Sequence, residues 1–310
     1  MFLRRSAAYG AGIKRKRLVK NLLLVATILA FFSFSAVLYL KLSVSSRNDR
    51  RQLRDLFESG EFENAYTLSS GLLKEAPLDS FLLTIHGFSA YQLAIAQTNN
   101  FDAISYIDNC IWSLRKAMLY RENLNDGRIS YVLGKAYYNK GSGYADLAVN
   151  YLEKSRAASY RAADIPEYLG LAYAGIRDFR SSVEAFSLAL TDVVAPSDLL
   201  MLSIARSYLA LEEFESARAY LMRCLDITKD SKTTAAARLA LGNTLVKTGD
   251  TAGAETEYLR AIEEDGENAE AHYQLGELYA LAGDATRARA EWRRAVRIDP
   301  AHGPARSRLN

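Results

Sequence analysis

From Arg47 onward, apolar residues recur every three or four positions in short runs, and polar or glycine-containing turns separate the runs. The tail is the clearest case. Ala271, Leu275, Leu278 and Tyr279 form one stripe, and Ala288, Trp292, Ala295 and Val296 form the next. This spacing predicts two helices. Between them, Gly283-Asp284 supplies residues that tolerate a left-handed backbone at a helix end. Asp299-Pro300 stops the second helix, because proline disfavours a helical residue before it. Gly276, Ala288 and Ala295 are small enough for the paired helices to approach closely, and Tyr279 and Trp292 fill the space between them.

The same pattern precedes itself. Residues 235–268 align on 269–302 without a gap, both 34 residues long. Leu241-Gly242 falls on Leu275-Gly276, Leu245 on Tyr279, and Gly249-Asp250 on Gly283-Asp284. Ala254 falls on Ala288, Tyr258 on Trp292, and Ala261 on Ala295. A 34-residue period with this arrangement of small and large residues resembles the tetratricopeptide repeat. One such hairpin cannot bury its apolar face alone, so the resemblance requires stacked neighbours.

Upstream copies are weaker. Residues 127–160 carry Leu133-Gly134, Tyr137, Ala148 and Leu152, with a turn two residues longer than standard. Residues 163–196 match at Leu169-Gly170, Tyr173, Phe186 and Ala189, and 198–231 at Ile204-Ala205, Tyr208, Ala217 and Leu221. Residues 42–122 read as divergent hairpins. One lies at 47–77. The other, at 79–122, carries His86-Gly87, and the polar stretch 98–102 reads as an insertion in its turn. The expected fold is all-α, a right-handed α-solenoid of about seven hairpins, with an eight-residue tail at 303–310. That tail either forms a short cap over the last hairpin, or leaves an end that docks a partner or a second copy of the chain.

Residues 1–20 hold seven cations and no acid, and residues 21–40 hold no charge. Twenty mostly apolar residues make about 30 Å of helix, roughly the hydrocarbon thickness of a bilayer. A transmembrane helix is therefore expected at 21–41; a cleaved signal, with Ser33-Phe34-Ser35 before Ala36, is the alternative. More cations precede this segment than follow it. That bias puts residues 1–20 in the cytoplasm and the repeats outside, which in a bacterium means the periplasmic side of the inner membrane.

Charge and chemistry narrow the function. The whole chain is +3, and without the seven N-terminal cations the remainder is −4, which carries no nucleic-acid footprint. His86, His272 and His302 share no metal-ligand spacing. Cys110 and Cys224 fall on helix-core positions of different hairpins. No phosphate-binding loop, dinucleotide fingerprint or nucleophile elbow occurs. No catalytic residue, metal or cofactor is expected, and the chain does not read as an enzyme.

The resemblance also implies where partners bind. In tetratricopeptide arrays the first helix of each repeat lines an inner groove. Carrying its inward positions over gives Arg128, Tyr131, Lys135, Tyr138 and Asn139, then Glu167 with Tyr168 and Leu171. Further along come Arg206 with Leu202 and Ser203, then Asn243 and Lys247, then Tyr273, Gln274 and Glu277. The lysine and asparagine pattern by which such repeats clamp a chaperone's C-terminal carboxylate is missing: Tyr131 and Leu239 stand where it needs lysine. The expected function is a membrane-anchored scaffold or adaptor that binds proteins or peptides. Array plus anchor resembles bacterial envelope-assembly factors, a plan shared by periplasmic scaffolds around the spirochaete flagellar motor. Two alternatives stand beside it, a cytosol-facing targeting receptor and a regulatory subunit of an envelope enzyme.

Overall fold

A computed structural model of the chain describes residues 47–120, 126–192 and 196–310. The expected transmembrane segment at 21–41 and the basic stretch at 1–20 lie outside these residues. Among the described residues there are fifteen α-helices and no strand, and no helix is long and apolar enough to cross a membrane.

The helices pair in chain order. A first helix, α1, covers 47–58 and pairs with α2, Phe62–Glu75. The following pairs are α3 (Ser80–Ala96) with α4 (Asn100–Leu119), α5 (Gly127–Lys140) with α6 (Ala145–Ala157), and α7 (Ile165–Gly175) with α8 (Phe179–Asp192). After these come α9 (Asp198–Ala210) with α10 (Phe214–Ile227), α11 (Ser231–Thr248) with α12 (Thr251–Glu264), and α13 (Ala269–Leu281) with α14 (Ala285–Ile298). A short α15, Gly303–Leu309, closes the chain. Each second helix also packs on the first helix of the next pair, so the seven hairpins stack in one line.

Close approach within a hairpin depends on a missing side chain. A Cβ added at Gly242 would meet the Tyr258 ring at 2.4 Å, and one at Gly276 would meet Trp292 Cδ1 at 2.6 Å. The rings therefore occupy the space that a Cβ would fill, and both are almost fully buried. Many helix starts are capped by an acid or amide: Asp79, Asn99, Asp126, Asp230, Asp250, Asn268 and Asp284 each accept from a backbone N–H of the first turn.

Hairpin two departs from the reading of 98–102 as a turn insertion. Its connection is only 97–99, and the extra length lies in the helices, 17 residues in α3 and 20 in α4. The longer turn of hairpin three is a 3₁₀ turn at Ser142–Tyr144. At the C-terminal end, α15 covers the last hairpin. Ala305 is fully buried and Leu309 packs on the adjoining core.

Candidate partner-binding site

The first helices also meet one another, α3 with α5, α5 with α7, α7 with α9 and α9 with α11, so they make a continuous inner layer. Side chains from three of them converge on Lys135 of α5. Its ammonium lies 4.5 Å from the centre of the Tyr168 ring, 5.0 Å from that of Tyr131 and 5.8 Å from that of Tyr91. It donates to Asp164 Oδ2 at 2.7 Å and to the Tyr131 hydroxyl at 3.0 Å. The Tyr131 hydroxyl in turn donates to Asp164 Oδ1 at 2.7 Å. Tyr138 meets Tyr168 edge to face, with ring centres 5.4 Å apart, and Asn139 donates to the Tyr91 hydroxyl at 3.2 Å.

The electrostatics follow from half-burial around one ion pair. Burial alone would lower the Lys135 pKa, but hydrogen bonds to Asp164 and Tyr131 and the nearby Tyr91 and Tyr168 outweigh it and hold the lysine above its ordinary value. Tyr131 is pushed up to about 12, first by burial, with Asp164 raising it and Lys135 opposing. Burial also raises Tyr91 and Tyr138. Glu167 is raised by burial and by Asp164, against the pull of Lys135. At neutral pH the phenols are uncharged. They offer apolar faces with a hydroxyl at the tip, a surface that buries area at low entropic cost. A recess of about 460 Å³ adjoins the cluster, lined by Asn139 and Tyr168 together with Ile95, Ile104 and Ile107.

Of the positions expected from the sequence, Tyr131, Lys135, Tyr138, Asn139 and Glu167 gather in this patch. Arg128 extends it, with its guanidinium 4.8 Å from the centre of the Phe88 ring. The others do not join it. Arg206 and Lys247 are exposed further along the array. Asn243 accepts from the Tyr258 hydroxyl at 2.7 Å. Tyr273 rests against His302, and Glu277 holds Arg308 of α15 through two hydrogen bonds of 2.9 and 2.6 Å.

Two members were not among those positions. Tyr91 stands four residues after Gly87, as Tyr138 stands four after Gly134, so aligning the hairpins on glycine would have found it. Asp164 precedes α7, where a capping residue is expected, yet its side chain makes no cap hydrogen bond. Its carboxylate is spent on Tyr131 and Lys135 instead, a local rule broken in favour of this patch.

Family models of the tetratricopeptide repeat match residues 200–231 and 239–302. Residues 200–231 and 239–302 therefore carry tetratricopeptide repeats. No curated protein matches it by sequence. Solved structures share the fold at low identity. One is the C-terminal part of a TPR repeat-containing protein from Cytophaga hutchinsonii, 14% identical, covering 84% of this chain and 99% of that one, with a TM-score of 0.57. PilF from Pseudomonas aeruginosa is 15% identical, with 71% and 95% covered and a TM-score of 0.54. A chain of the APC/C hetero-tetramer Cut9-Hcn1 is 16% identical, with 83% and 47% covered and a TM-score of 0.55. Tetratricopeptide repeats are protein-interaction units; the Lys135 patch lies on the first-helix layer, upstream of the residues that these models match.

Proposed function

We propose that this chain is a membrane-anchored tetratricopeptide scaffold that recruits a partner protein through the Lys135 patch into a cell-envelope assembly. The observation that carries the reading is the convergence of Tyr91, Tyr131, Tyr138 and Tyr168 on the Lys135–Asp164 pair from three successive first helices. Such a surface suits an extended peptide. The tyrosine faces cover its side chains, the ion pair and hydroxyls meet its backbone, and the recess beside Ile95 and Ile104 accepts an apolar side chain. The uncharged run at 21–40 behind seven cations supports the anchor, with the repeats on the periplasmic side of the inner membrane. In this reading the chain catalyses nothing; it positions others.

The test places a photo-crosslinking amino acid at Glu167 of the full chain in cells and identifies what it captures by mass spectrometry. Envelope proteins are the expected products, and replacing Tyr131, Lys135 and Tyr138 by Ala should cut the yield at least about tenfold while helicity persists. Equal yield from the triple variant would overturn the patch. Capture of cytosolic precursors and chaperones alone would reverse the topology and favour a targeting receptor. One enzyme captured in stoichiometric amount would favour a regulatory subunit.

A further inference from the structure

The second helices form the outer layer, and among the described ones α4 carries the most exposed large apolar residues. On α4, Trp112, Lys116 and Leu119 follow one another at helical spacing on a surface face, with Trp112 56% and Leu119 75% exposed. Helices α4 and α6 each pack on α5. Between them runs a groove of about 620 Å³, floored by Ile111, Met118 and Tyr151.

Cations stand on both walls, Arg115 and Lys116 from α4 and Lys154 from α6. The Lys116 ammonium sits 4.5 Å from the centre of the Trp112 ring, and that of Lys154 lies 5.1 Å from the centre of the Tyr151 ring. None of the three makes an ion pair among the described residues. The one carboxylate lining the groove, Asp108, is already taken by Lys140 at 2.6 Å. An apolar floor between cations that are unpaired among the described residues is therefore set into a chain whose charge beyond residue 20 is negative.

We infer that the α4–α6 groove is a second docking surface, and that its occupant is an acidic amphipathic helix of a partner protein. The seven-residue step from Trp112 to Leu119 spans about 10 Å along α4, which two turns of a docked helix match with apolar residues at i, i+3, i+4 and i+7. Carboxylates flanking that stripe meet Arg115, Lys116 and Lys154 on the two walls. Ile111, only 7% exposed, lies beside Trp112 and Leu119 at 56% and 75%, a relief that suits a rod laid in the groove rather than the flat face of a bilayer. The Lys135 patch is built mainly on α3, α5 and α7 and this groove on α4 and α6, with Lys140 lining both the groove and the recess beside the patch, so the array offers two adjoining surfaces to two proteins.

The chain has two tryptophans, and Trp292 is only 8% exposed, so Trp112 reports on the groove. The full chain is titrated with a synthetic 18-residue helix carrying leucine at i, i+3, i+4 and i+7, glutamate flanking that stripe and alanine elsewhere. The expected result is a saturable blue shift of the emission, absent in Trp112→Phe. A peptide with lysine in place of glutamate should bind at least about tenfold more weakly, and a Lys116→Glu, Lys154→Glu double variant should invert that preference. The inner triple variant should leave the affinity unchanged, so this groove and the Lys135 patch fail or stand separately. No saturable shift, or equal affinity for both peptides, would overturn the inference. A shift with phosphatidylglycerol vesicles but not with the acidic peptide would also overturn it, assigning the patch to lipid.

Discussion

In five of the hairpins the backbone between the two helices passes through a left-handed residue, and they meet this demand unequally. Gly60, Gly249 and Gly283 do so with φ of 82°, 88° and 80°, whereas Arg177 and Glu212 do so with φ of 63° and 59°. A side chain in that region costs about 1–2 kcal/mol, of which the extra freedom glycine loses on folding offsets about 0.5–1 kcal/mol. Glu212 is exposed, so Glu212→Gly should stabilise the chain by about 0.5–1 kcal/mol and raise the thermal midpoint. A lowered midpoint would mean that the Glu212 side chain contributes something of its own. The opposite substitution belongs at Gly276. Its missing Cβ is the space that Trp292 occupies, so Gly276→Ala should destabilise by about 1–3 kcal/mol and Trp292→Ala by about 3–5 kcal/mol. Urea titrations of both variants would check the order, and a Trp292→Ala curve equal to the parent's would contradict the packing of the last hairpin.

At the scale of elements, His86 ties three helices together. On α3 it hydrogen-bonds Ser113 of α4 at 2.8 Å and Ser70 of α2 at 3.0 Å, and it stacks on Tyr66 with ring centres 4.4 Å apart. Burial lowers its pKa to about 4 from an ordinary 6.5. The unfolded chain therefore binds a proton that the folded one refuses between those values, and stability falls as the pH falls. The contribution is fully present above pH 6.5, is lost progressively toward pH 4, and amounts to about 2–3 kcal/mol after a discount for partial solvation. A His86→Leu variant should lack that part of the pH dependence in urea titrations between pH 7 and 4.5; the same slope in both chains would place the proton elsewhere. How much of this was legible in the sequence depends on the reach of each interaction. The period, the paired Gly276 and Trp292 and the turn glycines act within one hairpin, so their spacing reveals them. Asp164 meets Lys135 across two hairpins, a contact set by the rotation of one hairpin on the next, which no spacing encodes. A third class was legible but easy to miss. Arg238 pairs with Glu257 at 2.9 Å and His272 with Glu291 at 2.7 Å, with Glu257, His272 and Glu291 buried and Arg238 partly so, and both partners recur 34 residues apart.

For the whole molecule, stability accumulates by neighbour contacts, because each hairpin touches only those before and after it. The buried apolar residues accordingly fall into groups along the array, a small one in α1–α3, one from Phe88 to Ala185 and one from Phe186 to Trp292. Ends are the weak points of such a stack, and α15 is what covers this one. Ala305 is fully buried, Leu309 rests on the last core, and Arg308 reaches both Glu277 and the Trp292 ring. His302 starts the helix by accepting from the Ala305 N–H at 3.1 Å, while its other ring nitrogen lies 3.0 Å from Glu270. Ending the chain after His302 removes the apolar cover, which for a half-buried leucine and a buried alanine amounts to about 2 kcal/mol. In a nearest-neighbour stack that loss stays local. Amide hydrogen exchange in α13 and α14 should accelerate by about 30-fold, since each 1.4 kcal/mol is a factor of ten, while α5–α8 keep their protection. Acceleration along the whole array would show one cooperative unit instead of coupled hairpins. No acceleration anywhere would show that α15 is a passenger, returning the face beside Trp292 to consideration as a docking end for a partner or a second copy of the chain.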